Sequence, residues 1–103
     1  SEIDRTLALE PGFVDAIAAK GAFLVKLPSL LGGDADEGER LLRRAVQLAP
    51  DHAPARLELA KALDEKGDKH AALEEARTVL TIADARSAFE EREARELTQK
   101  LGS

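Results

Sequence analysis

Few side chains in this chain could do chemistry. His52 and His70 are the only histidines, they stand 18 positions apart beside expected turns, and there is no cysteine. Zinc needs His, thiolate or carboxylate ligands in a closed set, and no His-x-x-x-His pair places two imidazoles on one helical face, so both histidines read as solvated turn residues. Asp34, Asp36, Glu37 and Glu39 gather four carboxylates within six positions. A calcium loop sets oxygens at alternating positions and closes on a glutamate at the twelfth, which this run lacks. Carboxylates at the start of a helix are accounted for by its dipole. Gly32-Gly33 is not followed by the Lys-Ser or Lys-Thr of a phosphate cradle. No serine, histidine and carboxylate group themselves for nucleophilic attack. These residues point to no catalysis, no metal and no cofactor, which leaves binding as the function to look for.

Composition narrows the elements that would carry a binding surface. With 103 residues the chain is one domain's worth of protein. Phe13, Phe23 and Phe89 are its only aromatics, and its apolar content is mostly Leu and Ala, the strongest helix formers. A net charge of −5 argues against a nucleic-acid footprint and against an anionic membrane surface. Residues 16–31 form the longest apolar region, but Lys20, Lys26 and Pro28 interrupt it, so no membrane insertion is expected. Glu2, Asp4 and Arg5 break up the only stretch that could read as a secretory signal.

One pattern is written twice. Gly33-Asp34 leads to Gly38, Leu42, Ala45 and Pro50, and Gly67-Asp68 leads to Ala72, Ala76, Val79 and Asp84, at offsets of 5, 9, 12 and 17 from each glycine. A shift of 34 residues superimposes the two runs, and a fixed period of that size marks a repeat array. Residues 1–10 read as the tail of a helix, with Ile3, Leu7 and Leu9 apolar, ended by Pro11-Gly12. A helix is expected over 13–27, ended by Pro28. Asp34 caps the next, with Glu37 completing a capping box, and this helix runs to about Leu48. Asp51 or Ala53 opens another, with Pro54 tolerated in its first turn and Leu59 between the paired helices. Gly67-Asp68 turns into a helix carrying Ala72, Ala76 and Val79. Ser87 and Glu90 form a second capping box for a last helix, to about Leu101. Pro11 and Pro50 are 39 apart, so the repeat between them holds five extra residues, placed near 28–32.

The period, together with Gly21 and Ala60 in register on first helices and Gly38 and Ala72 on second helices, resembles the tetratricopeptide repeat family. That resemblance implies an all-α fold of about six helices, in antiparallel hairpins stacked as a right-handed superhelix. The chain then divides into a partial repeat (1–12), a repeat with the insertion (13–50), a second repeat (51–84) and a capping helix (85–103). It also implies a non-enzymatic scaffold that binds a protein or peptide in a groove lined by the first helix of each pair, here Asp15, Ala18, Ala22, Val25, Lys26, Leu57, Lys61, Asp64 and Glu65. Family members that clamp a carboxylate use Lys, Asn and Arg on this face, and Ala18, Ala22 and Leu57 argue against that clamp.

Val14, Ala18, Ala22 and Val25 make the helix over 13–27 apolar on its groove side as well. Either preceding helices or a second subunit cover it, with Ile3 and Leu7 adding to a surface for self-association, or it floors a site for a partner helix or a small hydrophobic ligand. Leu27-Pro28-Ser29-Leu30-Leu31-Gly32-Gly33-Asp34, following a long apolar helix, is similar to the periplasmic T-components of TRAP solute transporters. This resemblance implies an alternative role as a bacterial periplasmic accessory protein, its signal removed, that binds or passes a small organic solute.

Overall fold

Caps and turns set where each helix begins and ends. A computed structural model describes residues 12–102, which form α1 (Phe13–Lys26), a short 3-10 turn (Ser29–Leu31), α2 (Ala35–Leu48), α3 (Ala53–Lys66), α4 (Lys69–Ile82) and α5 (Ala88–Gly102), with no strand among the described residues. The helix expected over 1–10, with Ile3, Leu7 and Leu9, lies outside the described residues. Asp34 accepts the Glu37 N–H at 3.1 Å and Asp68 accepts the Ala71 N–H at 3.3 Å, each satisfying a donor that the first helical turn leaves open. α2 and α4 therefore begin and end 34 positions apart. Glu37 spends its carboxylate on Arg40, one turn on. Gly67 takes a φ of 96°, a left-handed conformation that glycine adopts without steric cost, and closes the turn between α3 and α4.

Two expected starts are made differently. His52, read from sequence as a solvated turn residue, is the N-cap of α3, its Nδ1 accepting the Ala55 N–H at 3.1 Å. Before α5, the Ser87 hydroxyl donates to Asp84 Oδ1 at 3.2 Å, and the same oxygen accepts the Arg86 N–H at 2.8 Å. An aspartate turn thus organises the chain where a capping box was expected. Between α1 and α2, Leu27 is extended ahead of Pro28, the 3-10 turn follows, and the Asp34 N–H donates to Leu24 O at 3.0 Å to close the excursion.

Small residues decide how closely the pairs approach. α1 packs on α2 and α3 on α4. A Cβ added to Gly21 would lie 2.8 Å from Gly38 O, and one added to Gly38 would meet Gly21 O at 2.5 Å, so the two backbones touch where the glycines cross. In the second pair the matching positions are Ala60 and Ala72, both fully buried. One core cluster joins Val14 and Ala18 of α1, Leu42 and Ala45 of α2, and Ala55, Leu59, Ala62 and Leu63 of α3 to Ala72; a second joins Leu57, Ala60, Ala76 and Val79 to Ala94 of α5. α3 feeds both clusters and is the central element.

Candidate functional site

The odd-numbered helices form a row. Backbones of α1 and α3, and of α3 and α5, come within 8 Å of each other, whereas those of α2 and α4 do not, so the layer of odd helices is the more tightly spaced side of the stack. A chain of ion pairs crosses it. Lys26 Nζ of α1 lies 3.5 Å from Glu58 Oε2 of α3, Glu58 Oε1 lies 3.7 Å from Lys61 Nζ, and Lys61 reaches Glu93 Oε1 of α5 at 3.4 Å. Spacings of three and four residues put Glu58, Lys61 and Glu65 on one side of α3.

The nine residues expected to line this face divide. Lys26 and Lys61 belong to the ion-pair chain; Asp15 and Glu65 are exposed and Ala22 is half-buried. Ala18 and Leu57 are 5% and 2% exposed, which places them in the two cores. Val25 packs against Gly38 and the first core, so the apolar side of α1 is largely covered by α2 and α3 of the same chain. Asp64 turns toward neighbouring helix ends, binding Lys69 Nζ of α4 at 2.6 Å and Lys100 Nζ of α5 at 2.9 Å. Glu58 and Glu93 were missed. The signal for Glu58 was its position, one turn before Lys61 and Ala62, whereas Leu57 is rotated about 100° toward α4 and α5.

Charge fixes the ends of the row as well. Because His52 Nδ1 accepts a backbone N–H, the hydrogen sits on Nε2, which donates to Asp15 Oδ1 of α1 at 2.6 Å. Hydrogen bonds from Lys69 and Lys100 hold the Asp64 carboxyl below its ordinary value despite some burial. Burial pushes Glu39 up, but hydrogen bonds and charge from Arg43 and Lys66 together outweigh it and hold this carboxyl low too. On the other layer, Arg56 Nη1 meets both oxygens of Glu75 at 2.9 and 3.2 Å and its Nε donates to Pro50 O, tying α4 to the turn before α3.

Beside the ion-pair chain, a recess of about 220 Å³ is lined by Val25, Ala35, Asp36, Glu39, Ala62, Glu65 and Lys66. Among the described residues no three His, Cys, Asp or Glu side chains come together in a way that could hold a metal, and no helix is long and apolar enough to cross a membrane. Antiparallel helix pairs, seamed by small residues and repeated along the chain, define a helical-repeat protein. The tetratricopeptide repeat profile matches residues 30–101, and the chain belongs to that family, whose members are typically non-enzymatic scaffolds for protein interaction. Nothing matches among curated proteins or among solved structures. The match takes in α2 to α5, and it lends no support to the resemblance of residues 27–34 to transporter T-components.

Proposed function

We propose that this chain is a non-enzymatic scaffold that binds another polypeptide along the row of α1, α3 and α5. On this reading residues 13–50 and 51–84 are the two repeats and α5 is the closing helix. The Lys26–Glu58–Lys61–Glu93 chain carries the proposal, because it lines up polar groups across three helices on the tighter side of the stack. Long side chains already held by neighbours lose less freedom when a partner arrives. Asp15, Ala22, Lys26, Glu58, Lys61 and Glu65 make up the contact face, with Ala18 and Leu57 supporting it from below.

A photo-crosslinking residue placed at Ala22 on α1 or at Arg77 on α4 tests the face directly. A partner that binds in the row crosslinks at position 22 and not at 77. Crosslinking at 77 alone would place binding on the opposite layer and end the proposal.

A further inference from the structure

We propose that the face of α1, α3 and α5 accepts a cationic peptide segment and rejects acidic ones, and that Glu58 sets this preference; the inference rests on the proposed function above. The cations in the row already face carboxylates of the same chain. Lys26 and Lys61, from different helices, converge on the single carboxylate of Glu58, and Lys61 is also held by Glu93. An acidic partner would have to displace a carboxylate already in place and tethered to α3, and a tethered group competes at high effective concentration.

The recess beside this chain has the opposite character. Val25, Ala35 and Ala62 give it an aliphatic lining, and three carboxylates, Asp36, Glu39 and Glu65, stand around it with one cation, Lys66. Glu39 is engaged by Arg43 and Lys66, while Asp36 and Glu65 form no ion pair with any described residue. At about 220 Å³ the recess falls below the roughly 300–1,000 Å³ of small-molecule sites, so it suits one side chain rather than a whole ligand. A lysine or arginine fits both halves of it: the methylene stem lies on the aliphatic lining and the charged head reaches Glu65 or Asp36.

The test uses two fluorescein-labelled peptides of equal length, one of alternating Ala and Lys and one of alternating Ala and Glu, titrated at low salt by anisotropy and mapped by amide chemical shifts. The Ala-Lys peptide should bind about tenfold more tightly than the Ala-Glu peptide and shift amides of α1, α3 and α5. Glu65→Gln should weaken it several-fold, while Glu74→Gln on α4, which removes the same charge, leaves it unchanged. Glu58→Gln should improve binding of the Ala-Glu peptide about tenfold, and Lys61→Gln added to it should abolish the gain. Equal losses from Glu65→Gln and Glu74→Gln would reduce the effect to overall charge and overturn the preference. So would failure of the Ala-Lys peptide to bind, or tight binding of the Ala-Glu peptide to the unaltered protein on the same face; that last result would leave the groove itself standing. Shifts confined to α2 and α4 would remove both.

Discussion

Gly21 and Gly38 show how much a single hydrogen in place of a methyl group decides. Each glycine's missing Cβ is the space that the other's carbonyl oxygen occupies, and backbone on both sides cannot yield as a flexible side chain would. Gly21→Ala should therefore destabilise the fold by about 1 to 3 kcal/mol by overpacking, although alanine in a helix is worth about 1 kcal/mol over glycine. A urea midpoint that rises would show that α1 and α2 separate freely. Leu59, 2% exposed in the cluster that joins both pairs, should lose about 2 to 5 kcal/mol on truncation to alanine; a loss under about 0.5 kcal/mol would take it out of the core. Gly21 was legible because the repeat shows a small residue again at Ala60, and Leu59 through the apolar spacing of its own helix, since the residue in register with it is Lys20. Leu57 and Ala18 were not, since an apolar residue near a groove and one just beneath it carry the same letter.

At the scale of helices, starts were readable where an aspartate or glycine supplied them and unreadable where an uncommon residue took the role. Asp34, Gly67 and Asp68 behave as their types demand. His52 does not declare itself, because imidazole caps a helix only in the tautomer that leaves Nδ1 free to accept, and the group that favours this tautomer, Asp15, is 37 residues away in sequence. His52→Ala should cost about 1 kcal/mol, and His52→Asn, which keeps a side-chain acceptor, should recover most of it. Asp15→Ala should cost less than His52→Ala, since Asp15 is exposed and its partner's cap survives. If chemical denaturation finds His52→Asn as damaging as His52→Ala, the tie to α1 matters and the cap does not. The Asp84 turn is a parallel case: proline ends one repeat at Pro50, while at the equivalent position a carboxylate folds the chain through Arg86 and Ser87.

Across the whole molecule, ion pairs link elements that the cores alone connect loosely, and this gives stability a definite pH dependence. Asp64 joins the end of α3 to the start of α4 and the end of α5, and Glu39 joins α2 to α3 through Lys66. Both carboxyls are held below their ordinary values in the folded state, so the unfolded chain binds more protons as the solution is acidified. Their contribution is fully present above the unfolded values of about 3.9 for aspartate and 4.3 for glutamate, and is lost as pH falls through the lower folded values. The urea midpoint should therefore hold steady near neutrality and fall below about pH 4 to 5. Asp64→Asn should lower stability at pH 7 by on the order of 1 kcal/mol and flatten the acid limb, so that the two proteins converge as pH drops. Parallel curves at all pH values would mean that Lys69 and Lys100 do not stabilise the carboxylate. Half a molar salt or so should shrink the same difference, because Lys69 and Lys100 are more than half exposed and a Debye length of only a few ångströms screens them.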